Sequence, residues 1–413
     1  MSDNEIELTY DLFTLPTVQH RAGLAGLLVL IESLRRRKIE PLPKIIKKDN
    51  GKISICFTEA ILVTVLNDLY DSIWDERKSS SEPKEKKIRN VRRIDTDKVF
   101  SKTGKTIKEY TYEVVIPKCG FLQTFQLPNP WLKLWQDALW ATLRARPTPR
   151  KPYEQRVENE PLNETKKVWK ALEAFKQKQV KNKIHTVEIA SSIFVGAQSK
   201  NAEHIPFRGR ADEAFLLYFW PVVMGVYVPE VIDIKGKTKF SGYVLTVPDV
   251  SDLYGFVDDF PETVNSLGKK IAGYRPKEAV ISIPQEGGLE YIYHLMGLAK
   301  EKFQLGNTEY SIAGVEVYHL EKRGNNVSLL MTDRIIVSRD LLEKYEAIRS
   351  HYYDPIFKRQ LILNLVRGEP WYQGFGRTFS KNNYKHFIGS QTTQFSRDVR
   401  HCFANLFQER RSK

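Results

Sequence analysis

The sequence predicts an α+β fold, with mixed α/β N-terminal and central portions and a helical C-terminal portion. Three observations carry this. Short strand-like runs are punctuated by Asp-Asn-Gly and Gly-Asn-Asn turns, stripes of helical period alternate with them, and from about Leu341 onward only the helical period remains. The 413 residues suffice for two or three domains with a sizeable core. The expected organisation is an α/β portion at 1–147, a central α/β portion at 148–340 with a basic opening segment and a reading loop, and a helical portion at 341–413.

Residues 10–38 hold the first strong element. Leu24, Leu27, Leu28, Ile31 and Leu34 fall at helical spacing, while Ala22, Gly23, Ala25 and Gly26 permit close backbone approach. Pro16 and Thr17 mark the start, and Arg35, Arg36, Arg37 and Lys38 close the last turn, where cations are favoured. The apolar run is too short and too rich in glycine to span a bilayer. Gln19, His20 and Arg21 are expected in an exposed first turn, beside unpaired backbone N–H groups that suit an anion such as a phosphate.

Next come a strand, an Asp-Asn-Gly turn, a second strand and an apolar helix ending near Trp74. Residues 75–109 are charged and show no core pattern; Arg89, Arg92 and Arg93 cluster there, in a segment that reads equally as a solvated loop or one lying on nucleic acid. A strand is expected at 110–116, and a tryptophan-bearing helix that ends at Pro147. Residues 148–183 are again basic, including Lys166, Lys167 and Lys170, with a partial helical stripe at Trp169, Leu172 and Phe175. The run 214–228, interrupted by Pro221, reads as core. Strands are expected at 231–234, 242–247, 279–283 and 315–319, the last returning through a Gly-Asn-Asn turn into 327–331. Phe395, Val399, Cys402, Phe403 and Leu406 give the final helix its core stripe.

A formal charge of +14 and a pI near 9.4 point to polyanionic partners, nucleic acid first. Cys56, Cys119 and Cys402 are too far apart for a zinc knuckle or a disulfide framework, which suggests a reducing, cytoplasmic setting. The first residues are acidic and polar, unlike a secretory signal. A search for catalytic constellations returns little. Lys105-Thr106 lacks the upstream glycine of a phosphate-binding loop. Asp233 and Lys235 after Glu230 offer a weak acid-x-Lys pattern of a metal-dependent nuclease, read more simply as the polar end of a strand. Asp258, Asp259 and Glu262 read as a helix-start cluster, and the glycines at 287 and 288 as a tight turn. No histidine grouping has metal-ligand spacing, so neither a metal nor a cofactor is expected.

The loop 196–213 carries Gln198, Lys200, Asn201, His204, Arg208 and Arg210 between apolar stretches. Its amides and guanidiniums could make paired hydrogen bonds to a base edge, although composition alone equally allows an ordinary surface loop. Arg323, Asn325 and Asn326 at a hairpin tip read first as a tight turn and then as a DNA contact. Trp371, Tyr372, Phe375 and Arg377 around two glycines read first as packing, then as a base-stacking platform.

The phrase LFTLPTVQHRAGLAGLL resembles the N-terminus of MYXAN-type large subunits of the type I CRISPR Cascade complex, in the type I-B group. KNAEHIPFRGR (200–210), VEVYHLEKRGNNVSLL (315–330) and IFKRQLILNLVRGEPWYQGF (356–375) extend the likeness along the chain. The resemblance implies a non-catalytic subunit that contacts the 5′ handle of a CRISPR guide RNA and reads a protospacer-adjacent motif in double-stranded target DNA. It also implies help in starting the R-loop, with base pairing supplying sequence specificity. It implies that Gln19, His20 and Arg21 hold the handle or a neighbouring subunit. Gln198, Lys200, Asn201, Arg208, Arg210, Arg323, Asn325 and Asn326 would then approach the motif duplex, and Arg89, Arg92, Arg93, Lys166, Lys167 and Lys170 the phosphate backbones. Implied partners are the backbone, handle-capping, RNA-processing and small Cascade subunits. A helicase-nuclease would follow, or transposition proteins in transposon-linked systems; no membrane is implied. Two other readings stand beside this one: a metal-dependent nuclease using Asp233 and Lys235, and an RNA-binding ribonucleoprotein scaffold without DNA recognition.

Overall fold

The computed structural model describes residues 5–47, 51–81, 94–100, 106–197, 205–232, 238–303, 310–324, 326–381 and 392–411. The chain forms two compact units. The first takes residues 1–15, 26–127 and 136–222; the second takes 16–25, 128–135 and 223–413. The portions expected at 1–147, 148–340 and 341–413 divide the chain differently.

In the first unit, β1 (Ile6–Asp11) runs antiparallel to β3 (Lys52–Phe57), with Ile6 opposite Phe57, and β2 (Lys44–Lys47) flanks β3 on its other side. Ile6, Leu8 and Tyr10 alternate inward as the period of two requires. Helix α1 (Val18–Arg36) contributes its residues from Gly26 onward to this unit. There the main chain at Phe219 comes so near Gly26 that any Cβ would overlap its carbonyl oxygen, which accounts for the glycine at this position. Just past the helix, Arg37 grips buried Asp68 with two hydrogen bonds of 2.8 and 2.6 Å.

Helix α2 (Glu59–Leu69) is capped by Thr58, whose Oγ1 accepts from Ile61 N. It ends at Leu69, and Trp74 lies in the following strand, not in the helix expected to reach it. The charged region 75–109 also departs from expectation. Its residues 75–79, 94–100 and 106–109 belong to a three-stranded sheet ordered β4 (Ser72–Ser79), β6 (Thr106–Pro117) and β5 (Ile94–Phe100). The ladder bonds are backbone bonds, and Arg77, Lys78 and Ser79 have no buried face to fill, so apolar alternation was never needed.

After α3 (Gly120–Thr124), the tryptophan helix α4 (Asn129–Ala141) ends six residues before Pro147, which instead opens α5 (Pro147–Val157). Arg150 on α5 stacks over the Trp140 ring at 4.7 Å and donates to Arg144 O and Trp140 O. Helix α6 (Asn163–Val180) buries Val168, Trp169, Leu172 and Phe175. The unit closes with the short pair β7 (Thr186–Glu188) and β8 (Arg208–Arg210), and with α7 (Ala211–Leu216).

The second unit is built on a sheet ordered β10 (Thr238–Phe240), β9 (Gly225–Ile232), β11 (Tyr243–Val250), β15 (Ile312–Arg323) and β16 (Asn326–Ile336), with β14 (Val280–Ile281) parallel to β9. Helices α8 (Leu253–Asn265) and α9 (Pro284–Phe303) accompany it, as does a small hairpin of β12 (Ile271–Ala272) and β13 (Arg275–Pro276). Asp258, Asp259 and Glu262 lie inside α8, whose start is capped by Asp252, so they are not a helix-start cluster. Gly287 and Gly288 are not a turn either. They sit in the first turns of α9, where a Cβ on Gly288 would lie 2.7 Å from Ile335 Cδ1 and 2.9 Å from Val317 Cγ2. Glycine lets this helix descend onto the sheet.

One ionic cluster fixes the C-terminal helices to α9. Buried Glu290 accepts from Tyr345 Oη at 2.6 Å and Arg349 Nε at 2.7 Å, both from α10 (Arg339–His351). Burial pushes the Glu290 carboxyl up, but His294 and Arg349 outweigh it and hold the group down at about 2. Lys358 Nζ, from α11 (Pro355–Arg367), meets buried Glu286 at 2.9 Å. Helices α12 (Phe375–Lys381) and α13 (Thr392–Arg411) complete the unit; Phe395 and Cys402 are buried as the stripe predicts, whereas Phe403, expected in the core, is 48% exposed.

Candidate nucleic-acid interface

A cleft of about 520 Å³ opens in the second unit where α11 and α12 meet Glu230 and Ser282. Its construction starts at Asp398. This buried carboxylate accepts from Tyr353 N and Asp354 N, and Asp354 in turn caps α11 through Ile356 N and Phe357 N. Gly368, at φ 64°, ends α11 in the left-handed conformation that favours glycine. Beyond it, Asn364 Nδ2 donates to the carbonyls of Pro370, Trp371 and Gln373 at 2.8–3.0 Å. Gln360 bonds Asn364 Oδ1 and accepts from Thr378 Oγ1, so one polar chain pins the turn to both helices.

This frame sets four cations around the cleft: Arg359 and Arg367 from α11, and Arg377 and Lys381 from α12. Among the described residues none of the four side chains has a hydrogen-bond or ion-pair partner. Glu230 and Glu369 also line the cleft, leaving a surplus of positive charge. Desolvation lowers the Arg359 guanidinium from its ordinary pKa, although the residue as a whole remains exposed. Burial likewise raises the Glu230 carboxyl. A site of unneutralised guanidiniums with hydrogen-bonding Gln360, Gln373 and Thr378 at its wall suits phosphate oxygens.

The sequence-expected residues fall in four different settings. Gln19, His20 and Arg21 do begin α1, but their turn is covered. Gln19 donates to Tyr318 Oη at 3.0 Å, and His20 Nδ1 lies 2.7 Å from Thr17 Oγ1. Arg21 pairs with buried Asp249 at 2.6 Å, and Arg334 reaches the same carboxylate at 2.5 Å. The expected exposed first turn is therefore corrected to a buried polar junction: Gln19 is 1% and His20 5% exposed. Burial, with Arg21 adding to it, lowers the His20 pKa to about 4.

Arg208 and Arg210 occupy β8. Arg208 is exposed and bonds Thr186, whereas Arg210 pairs with Asp212 at 2.7 Å and stacks loosely over Phe175. Arg323 pairs with Glu321 beside Gly324, at the tip of the β15–β16 hairpin, and Asn326 is exposed there. Lys166, Lys167 and Lys170 lie exposed on α6, opposite its buried stripe, with Lys167 3.4 Å from Glu164. Gln198, Lys200, Asn201, Asn325, Arg89, Arg92, Arg93 and the Asp233–Lys235 pattern lie outside the described residues. Trp371 and Phe375 join a ring cluster with Phe357, Phe395 and Phe403, while Tyr372 stays largely exposed.

Arg359, Arg367 and Lys381 were not singled out from the sequence. The spacing of Arg359, Leu363 and Arg367 at i, i+4 and i+8 on one helix face was the available signal. Among the described residues no helix is long and apolar enough to cross a membrane.

Two family models match the chain. The type I-B CRISPR Cas8b N-terminal domain covers residues 42–304, and the type I-B CRISPR Cas8b C-terminal domain covers 312–413. The second contains α11, α12 and all four cleft cations. The phrase at residues 12–28 lies ahead of both matches. A search of curated proteins returns no match. With most of its length matched by these two domains, the chain belongs to the Cas8b family, the large subunits of the type I-B CRISPR Cascade.

Proposed function

We propose that this chain is the non-catalytic large subunit through which a Cascade complex contacts the 5′ handle of its guide RNA, reads the protospacer-adjacent motif in duplex DNA and helps open the R-loop. Family membership implies the other Cascade subunits and nucleic acids as partners. The observation that carries the reading is the α11–α12 cleft, whose four cations have no counter-charge paired with them among the described residues. Such a surface binds phosphates whatever the sequence, which suits a subunit that leaves base discrimination beyond the short motif to the guide.

Within this reading the cleft and Lys166, Lys167 and Lys170 hold phosphate backbones. Arg208, with Arg323 and Asn326 at the hairpin tip, approaches the motif duplex. Gln198, Lys200, Asn201 and Asn325 keep the same proposed role, and Arg89, Arg92 and Arg93 the backbone role, on the resemblance alone. Gln19, His20 and Arg21 act indirectly, as a buried brace between the start of α1 and strands β11 and β15. Downstream partners, a helicase-nuclease or transposition proteins, would dock on the assembled complex.

The test is binding of the reconstituted complex to target duplexes with the motif intact or scrambled. Arg208→Ala is expected to lower affinity for the intact motif by roughly 10-fold, the scale of one base contact, while guide RNA still copurifies. Equal affinities on both duplexes, for wild type and variant alike, would remove motif reading from this chain.

A further inference from the structure

The hairpin of β12 and β13 carries a feature that neither the family match nor the phosphate cleft explains. Ile271 pairs with Pro276 and Ala272 with Arg275, leaving Gly273 and Tyr274 as a two-residue turn. Gly273 has φ 67° and open space around it, as the first central position of a primed turn requires. The base of the hairpin is firmly held. Trp131 Nε1 donates to Gly268 O at 2.9 Å, Gly268 N donates to Glu278, and Lys277 N donates to Lys270 O at 2.8 Å. Pro276 and Ala279 are buried. The tip is the opposite: Tyr274 is 66% exposed, and its hydroxyl has no hydrogen-bond partner among the described residues.

Arg275 ties this tip to a second exposed ring. Its guanidinium carbon lies 4.2 Å from the Phe240 centroid and 4.9 Å from the Tyr274 centroid, so one cation lies against two rings. Phe240 is itself 43% exposed. Arg275 Nη1 is buried with no hydrogen-bond partner among the described residues. The bond from Lys277 N to Lys270 O sets these two exposed lysines side by side at the base of the ribbon. With Lys269 they make three cations that have no carboxylate partner among the described residues. The one acid of the hairpin, Glu278, is directed to Gly268 N, His294 and Arg349.

Packing does not account for two solvent-facing rings clamped on an arginine with an unused donor. We propose that this hairpin is a stacking site for single-stranded nucleic acid. Tyr274 and Phe240 offer their faces to unpaired bases, Arg275 stiffens the platform, and Lys270 and Lys277 take the flanking phosphates. Bare phosphate would need no exposed rings, and a duplex presents no free base faces, so the occupant is a single strand. The inference rests on the chain's being a nucleic-acid-contacting subunit, and it adds a base-contacting position to the phosphate cleft.

The experiment uses the full chain with short single-stranded DNA and RNA of one sequence, each carrying a central 2-aminopurine. Wild type is expected to bind and to change the 2-aminopurine emission through stacking; the two arms identify which strand is preferred. Tyr274→Ala should weaken binding by roughly 10-fold and abolish the emission change, with an unaltered melting temperature because the ring is exposed. Tyr274→Phe should restore both. Lys270→Ala should instead flatten the salt dependence by about 0.7 in log–log slope. Wild-type affinity and emission in Tyr274→Ala would overturn the hairpin site. If Arg359→Ala lost affinity in that same assay, the cleft would survive alone; if wild type bound neither strand, both would fall. Copurification with other Cascade subunits lost in Tyr274→Ala, with strand affinity intact, would make the tip a protein contact and equally overturn the proposal.

Discussion

His20 is a buried base bonded to Thr17 Oγ1, and burial together with the nearby Arg21 charge keeps its ring neutral. In the unfolded chain its ring takes up a proton near the ordinary value of 6.5, whereas in the folded protein it does so only at about 4. Between those values the unfolded state binds more protons, so this contribution is present in full above 6.5 and is lost as pH falls towards 4. The full effect is about 3 kcal/mol. Urea unfolding of wild type at about pH 7 and pH 4.5 should show this loss, and His20→Gln should remove most of the difference. An identical pH dependence in both proteins would contradict it. The polar triplet was visible in the sequence as a helix start, yet its covering was not. Its partners Tyr318 and Asp249 lie 299 and 228 residues from Gln19 and Arg21, beyond anything local periodicity reports. Arg359 was hidden for the converse reason, since a charged residue in an apolar helix is ordinarily a solvated face.

At the scale of elements, two helical glycines make opposite expectations. Gly376 in α12 has no atom within 4 Å of the place a methyl group would take, so Gly376→Ala gains helix propensity alone, roughly 0.5 kcal/mol. Gly288 in α9 meets Ile335 and Val317 below van der Waals contact, and the overpacking cost of about 1–3 kcal/mol exceeds that gain. Chemical denaturation should therefore find Gly376→Ala neutral or stabilised and Gly288→Ala destabilised; stabilisation of both would mean that α9 does not rest on the sheet through this glycine. Helices were legible because α1, α6 and α13 keep a 3.6-residue apolar stripe. Of the sheet of β4, β6 and β5 only the 110–116 part of β6 was legible, because the rest is largely charged and pairs through backbone bonds. The glycines at 287 and 288 misled in the same way, since a close helix–sheet approach and a tight turn ask for the same residue.

For the molecule as a whole, an α+β fold and membership of the Cas8b family make the chain a Cascade large subunit, and its basic surplus is what the proposed phosphate-holding role draws on. The net charge was plain in the sequence, and so was the resemblance. Where the charge acts was not, because several prominent basic residues are already committed: Arg21 to Asp249, Arg37 to Asp68, Arg210 to Asp212 and Arg349 to Glu290. Only the folded chain separates those from Arg359, Arg367, Arg377 and Lys381.

The most direct measurement is the salt dependence of target-DNA binding by the assembled complex, with wild type and with Arg359→Ala/Arg377→Ala. The double substitution is expected to weaken binding on every sequence and to flatten the log K against log[salt] slope by about 1.4–1.8, two phosphate contacts' worth, while the guide RNA and the other subunits still copurify. A slope and affinity equal to wild type would contradict the account.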